Sequence, residues 1–336
     1  MPTLSVKNLS VSSMGEGLLK SVSFSFSGDA FCICGKKYAG KTPLCLALAG
    51  FGNPEGEVVL NGEDITRISP EARNVGVLFG KAKLFRGSVG KNIAYGLTLR
   101  KEEKANEKAL ATANALGLKT IFHKKAKKFK GVQAQKIAFA RLIARHPTAI
   151  FADFPVREDS EEDLAFLKDC LAVCKARGIL FVLFTESAVQ ANLFSTLGVL
   201  EKGELTFFGN REALLANPPT LLSATFGAEN VNILYGEKKE GCLTVGDAQL
   251  FPTEGVGDVR VLLYEDFALL SQTGIPCRVD YVEKVGENYR YYLDFSLKDE
   301  EIGGKVTRFT LLSAVMPNEG ATTVYLTVNP KKVFVF

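Results

Sequence analysis

The chain has 336 residues, enough for about two domains at roughly 150 residues each. With 23% charged and 46% hydrophobic residues it has the balance of an ordinary folded protein, which excludes disorder as its main state. Lys plus Arg number 41 against 37 Asp plus Glu, and the resulting +4 is too small and too dispersed to point to nucleic acid.

The opening stretch MPTLSVKNLSVSS lacks the basic segment and apolar core of a signal peptide. Ala30 to Cys34 (AFCIC) is a short apolar run that reads as a buried strand, and Lys41 to Ala49 reads as a helix stopped by Gly50. Lys101 to Leu116, rich in Ala, Glu and Lys, predicts a helix ending at Gly117. Gly131 to Arg145 predicts another, closed by Pro147, and the strand-like Ala149 to Ala152 then leads to Asp153. Leu164, Leu167, Leu171 and Cys174 form one apolar helix face, and Ile179 to Phe184 (ILFVLF) reads as a fully buried strand. This alternation predicts an α/β domain with a mainly parallel sheet.

The longest uncharged stretch of note, Ala213 to Ala228, contains Pro218 and Pro219 and is too short and broken to span a bilayer. Gly236 to Gly241 (GEKKEG) reads as an exposed linker, which sets the expected domains at 1–235 and 242–336. Beyond it, Val259–Tyr264, Cys277–Val282, Tyr289–Phe295, Val306–Leu312, Thr323–Val328 and Val333–Phe336 are short runs of β-formers between turn residues. They predict a small all-β barrel or sandwich.

Seven cysteines but only two histidines, His123 and His146, argue against a metal site of the Cys/His type. Cys32 and Cys34 on a strand, and Cys170 and Cys174 on a helix, read as structural thiols.

The sharpest motif is Gly35-Lys36-Lys37-Tyr38-Ala39-Gly40-Lys41-Thr42, a full match to GxxxxGK[ST] between an apolar strand and a helix. Its glycines allow a tight turn whose N–H groups face a phosphate, and the helix N-terminus adds positive partial charge. Lys41 would reach the β- and γ-phosphates of a nucleotide and the Thr42 hydroxyl would ligate Mg²⁺. Pro43 is tolerated because the first helical turn does not need its N–H. A strand-to-helix turn that binds nothing is the competing reading. The motif alone does not distinguish kinases, GTPases and ATPases.

The flanking segments supply that distinction. Leu4–Leu9, Gly56–Ile65, Val75–Phe79, Leu84-Phe85, Asn92–Leu97, Gly131–Asp153, Val199–Leu205, Phe208-Gly209, Pro218–Gly227 and Tyr264-Glu265-Asp266 follow one another in order. Together they resemble the ATP-binding subunit of an ABC importer. The subclass is the one with a C-terminal OB-like β-domain that serves polyamine, ferric iron, sulfate and sugar systems. The resemblance implies a P-loop ABC-type ATPase domain with a helical lobe. It also implies ATP and Mg²⁺ as cofactors, with Asp153 beside Thr42 on the metal. Membrane permease subunits and a second ATPase subunit, in a homo- or heterodimer, are the implied partners. The implied location is cytoplasmic, peripheral on the inner face of the membrane, with residues 76–97 contacting a permease.

The catalytic stations depart from that pattern. Where the family has Asp-Glu-Pro, this chain has Asp153-Phe154-Pro155, and phenylalanine cannot act as a general base. The switch histidine corresponds to Glu186, whose ionised carboxylate would repel phosphate. The water-positioning glutamine corresponds to Gly80, the aspartate of the next loop to Ser160, and the adenine-stacking aromatic to the region of Ser13 and Met14. The signature LSGGQ becomes Phe129-Lys130-Gly131-Val132-Gln133. Lys130 ends a basic run from His123 that reads either as a solvated face or as a cation aimed at a partner's phosphate. Val132 adds bulk where glycine allows close backbone approach.

The leading expectation is a degenerate, non-hydrolytic subunit paired with an intact ATPase chain. The alternatives are an active homodimeric ATPase using Glu158, Asp159, Glu161 or Glu162 as a substitute base, and a nucleotide-responsive interaction protein outside transport. The same acidic cluster also reads as charge complementing a helix N-terminus.

Overall fold

The computed structural model describes residues 1–13, 16–154, 156, 159–228, 230–295, 308–316 and 322–336. The chain divides into two compact units, Met1–Leu214 and Leu215–Phe336.

In the first unit, β1 (Thr3–Ser13) and β2 (Glu16–Ser27) pair antiparallel, and β3 (Ala30–Cys34) leads through the glycine-rich loop to α1 (Lys41–Leu48). β4 (Glu55–Leu60) and β5 (Glu63–Asp64) form the next hairpin, followed by β6 (Val75–Phe79). Three helices come next: α2 (Val89–Leu99), α3 (Ala105–Ala115) and α4 (Gly131–Ile143). β7 (Ala149–Asp153), α5 (Glu161–Ala176), β8 (Leu180–Thr185), α6 (Ala188–Ala191), β9 (Thr196–Glu201) and β10 (Glu204–Asn210) complete the alternation. α7 (Arg211–Ala216) runs across the division between the units.

Two sheets result. A four-stranded sheet has the order β2-β1-β4-β5, and a six-stranded sheet has the order β10-β9-β3-β8-β7-β6. All pairings from β9 to β6 are parallel, and only β10 is antiparallel. α1 packs against β7 and β8 of one sheet and β1 and β2 of the other. Its Leu44, Cys45 and Leu48 join Leu4, Val6, Phe31, Phe151 and Phe184 in one core. α2, α3 and α4 build a separate helical lobe around Val89, Ile93, Leu97, Ala109, Ala113 and Ile137.

Depth of burial follows from this layering. Every side chain of β7 and β8 is buried, as their unbroken apolar runs require for strands covered on both faces.

The second unit carries α8 (Leu221–Gly227), β11 (Val231–Lys239), β12 (Cys242–Val245), β13 (Ala248–Pro252), β14 (Gly257–Tyr264) and β15 (Ala268–Ser271). β16 (Ile275–Val285), β17 (Asn288–Asp294), β18 (Arg308–Ser313), β19 (Thr323–Val328) and β20 (Val333–Val335) follow. Two five-stranded antiparallel sheets, β13-β12-β11-β14-β20 and β15-β19-β16-β17-β18, enclose Leu234, Val261, Phe267, Tyr291, Phe295 and Phe309. This is the small all-β unit expected.

The stretch Gly236–Gly241 is not a linker. Glu237, Lys238 and Lys239 end β11, which pairs with β12 on one side and β14 on the other. Backbone pairing, on both sides for Glu237 and Lys238 and with β12 for Lys239, holds these charged residues in a strand while their side chains still reach water. The expected division at 236–241 therefore differs from the observed one at 214/215.

Candidate functional site

Register in the parallel sheet assembles the site. Cys34 lies opposite Thr185, Asp153 opposite Phe184, and Phe79 opposite Asp153. Gly35, Glu186, Phe154 and Gly80 are each the first residue beyond their strand. All four therefore emerge along one carboxyl edge, where open α/β sheets place their ligands.

The loop Gly35–Thr42 is an ordered strand–turn–helix segment. Lys36, Lys37 and Tyr38 are exposed, with Tyr38 in the left-handed region at φ 65°. Gly40 has φ 107°, and a Cβ there would lie 2.9 Å from the Leu18 carbonyl oxygen. A Cβ on Gly35 would lie 2.4 Å from the Leu200 carbonyl oxygen, so both glycines are required by space. No side chain caps α1, which leaves its N-terminal end to a ligand.

Lys41 is 3% exposed. Its Nζ donates to Gly35 O at 2.7 Å and Lys36 O at 2.6 Å, and lies 3.5 Å from Glu186 Oε1. The Phe154 ring covers it at 5.1 Å, within cation–π range. Burial lowers the Lys41 pKa, and Glu186 counters that shift. The Thr42 hydroxyl donates to Asp153, 3.1 Å from each carboxylate oxygen. Burial pushes the Asp153 carboxyl up, while the Thr42 hydroxyl and then Lys41 pull it back. The hydroxyl and carboxylate are hard oxygen donors side by side, a set that fits Mg²⁺ completed by phosphate and water. The loop, the free helix end and Lys41 fit a phosphate chain.

The residues at the expected catalytic stations are physically linked. Phe154 sits at φ 48°, a left-handed conformation that bulky residues rarely adopt, and its N–H donates to Phe184 O at 3.1 Å. A Cβ at position 80 would lie 2.4 Å from the Phe154 carbonyl oxygen, so glutamine does not fit there beside this backbone. Gly80, Lys81, Lys130, Gly131, Ser160 and Glu162 line one cavity of about 500 Å³. Gln135 borders it, donating Nε2 to Phe79 O at 3.0 Å while its Oε1 has no partner among the described residues. Lys130 is exposed at the N-cap of α4, and the side chain of Val132 is buried.

The acidic cluster is divided between two tasks. Ser160 caps α5 by accepting from Asp163 N, and Glu161, Glu162 and Asp163 fill the first turn, the dipole-complementing arrangement. Asp159 accepts from Ser187 Oγ at 2.7 Å and Gln190 Nε2 at 3.0 Å, fixing the segment that carries Glu186. Glu158, Pro155 and Met14 lie outside the described residues, as does the Ser13 side chain. The Lys41–Glu186 pair, 145 positions apart, is not legible in the sequence, because nothing local in it discloses strand register. The pairing of Cys34 with Thr185 is the signal that brings them together.

A second surface lies on the helical lobe. The Phe85 and Tyr95 rings lie 4.3 Å apart, tilted by 37°, both over 40% exposed, beside Leu99, Arg100, Arg141 and Arg145. Asn92, fully buried, accepts from Phe85 N at 2.7 Å and donates to Phe85 O and Ser88 O, which pins this loop. Among the described residues, no helix is long and apolar enough to cross a membrane.

Residues 19–157 match the family model described as ABC transporter. The molybdate/tungstate import ATP-binding protein WtpC of Pyrococcus horikoshii is 30% identical over 81% of this chain and 83% of its own length. The putrescine transport ATP-binding protein PotG of Escherichia coli is 29% identical over 71% of this chain and 65% of its own length. A solved nucleotide-free ATP-binding cassette from an ABC transporter superposes with a TM-score of 0.58 at 23% identity, covering 65% of this chain and 96% of the other, and so shares the fold. The chain belongs to the ATP-binding subunits of ABC importers.

Proposed function

We propose that this chain is a non-hydrolytic member of the family, a structural or regulatory subunit paired with an intact ATPase chain on membrane permease subunits. The observation that carries this reading is Phe154. It stands at the end of β7 where a base would act, and its ring covers the loop lysine. A phenyl ring neither accepts a proton nor orients water. Gly80 adds no polar group, and Asp159 is committed to Ser187 and Gln190.

Binding is a separate capacity. Gly35–Thr42 would cradle the phosphates of ATP, and Thr42 with Asp153 would hold Mg²⁺, which supplies charge neutralisation when bound. The groove of Phe85, Tyr95 and Leu99, edged by arginines, supports docking of a permease helix that carries an acidic residue. That would keep the chain peripheral on the inner face of the membrane.

The test is steady-state phosphate release by the purified chain, alone and mixed with an intact ATPase subunit. Release is expected only in the mixture, and lost when the partner's own P-loop lysine is replaced. Robust turnover by the chain alone that disappears in Lys41→Ala contradicts the proposal.

A further inference from the structure

We propose that Glu186 makes this site selective for a nucleoside diphosphate over a triphosphate, by engaging the Lys41 N–H donor that a terminal phosphate would otherwise accept from. The inference rests on the reading of Gly35–Thr42 as a nucleotide site and names the ligand class that site prefers.

A lysine ammonium has three donors and no acceptor. In Lys41 two are directed to Gly35 O and Lys36 O, and the Glu186 carboxylate at 3.5 Å is the remaining polar partner. Lys41 is 3% exposed and roofed by Phe154, so bulk water does not compete for that third donor. Glu186 is held in place by its neighbours. Thr185 Oγ1 donates to Gln190 Oε1 at 2.8 Å, Ser187 Oγ and Gln190 Nε2 donate to Asp159, and Ser187 N donates to Thr185 Oγ1.

The lysine of such a loop reaches the β- and γ-phosphates of a bound nucleotide. A diphosphate would end at the β-phosphate, within the reach of the loop amides, and would not need the donor that Lys41 turns to Glu186. A triphosphate would bring its most highly charged group to the same ammonium that Glu186 contacts at 3.5 Å, so like charges would meet at Lys41. Glu186 is 45% exposed on its side chain, which screens the repulsion. The expected penalty against the triphosphate is therefore on the order of tenfold in affinity.

The test is equilibrium binding of ADP and of ATP to the full chain, each with Mg²⁺ and with EDTA. The native chain is expected to bind ADP about tenfold more tightly than ATP. Glu186→Gln should tighten ATP binding by about tenfold and ADP binding by less than about threefold, so that the preference collapses. Glu186→Ser serves as the second variant, and circular dichroism checks that each is folded. Equal affinity for the two nucleotides in the native chain, or an unchanged preference in folded Glu186→Gln and Glu186→Ser, overturns the selectivity while leaving the nucleotide site standing. Absence of binding by either nucleotide to the native chain and to both variants overturns the nucleotide site itself, and this inference with it.

Discussion

Among single residues, Phe154, Gly80 and Glu186 are spatially coupled. The Phe154 carbonyl fills the space that a side chain at position 80 would need, and the Phe154 ring and Glu186 together enclose Lys41. Restoring one group therefore leaves the others in the way. Phe154→Glu alone should leave phosphate release within about tenfold of the starting chain, although general-base assistance typically supplies roughly 10²–10⁴-fold, because groups that act as a unit recover non-additively. A gain of about a hundredfold or more from this single change would show that the remaining stations are intact. Asp153 gives a second expectation, through pH. Its carboxyl is pushed above the ordinary 3.8 by burial, so above that value the native chain binds more protons than the unfolded one. Stability attributable to this group therefore falls as pH rises through the native pKa. Asp153→Asn should raise the melting temperature at neutral pH relative to the unmodified chain, and the difference should shrink on acidification. A lower melting temperature for Asp153→Asn at neutral pH contradicts this.

Among the elements, α1 is held at both ends, which keeps the phosphate loop ordered. Arg73 is 2% exposed and donates to Ala47 O and Leu48 O at the end of α1, and to Ile68 O and Thr66 O. Arg73→Met removes the donor from Leu48 O, Ile68 O and Thr66 O, while Ala47 O keeps the Gly50 N–H, and should cost about 3 kcal/mol in chemical denaturation of the full chain. A loss under about 1 kcal/mol would mean that water replaces the guanidinium. The elements differ in how far the sequence discloses them. Ala30–Cys34 is the strand predicted, residue for residue, and the helix from Lys41 ends at Leu48, with Ala49 as its cap. Their apolar runs and glycine boundaries are local signals. α2 is less legible because Gly90 and Gly96 interrupt its pattern, yet Gly96 is there to let the Arg145 side chain pass at 2.4 Å from where its Cβ would be. β1 runs well past the Leu4–Leu9 segment legible as the opening strand, because bulges between Val6 and Leu9, and again after Leu9, break the alternation. β11 is masked in the sequence by its charged end, Glu237–Lys239. The Lys41–Glu186 pair depends wholly on strand register, which is a property of the assembled sheet.

For the molecule as a whole, the proposed docking to a permease falls on the helical lobe of the first unit. Phe85, Tyr95 and Leu99 are exposed there. Gentle detergent extraction should recover the chain with its permease subunits, whereas Phe85→Asp, which alters an exposed ring and keeps the Asn92 bonds to the backbone, should be recovered free. Retention of Phe85→Asp in the complex would move the docking surface elsewhere. The proposed function turns on a site that holds a nucleotide without hydrolysing it. Single-turnover chemistry measures that property: purified chain in excess over labelled ATP and Mg²⁺, quenched over time and separated from product. Bound ATP is expected to be recovered intact at every time point. Conversion of the bound ATP to ADP and phosphate, abolished by Lys41→Ala, would contradict the non-hydrolytic reading.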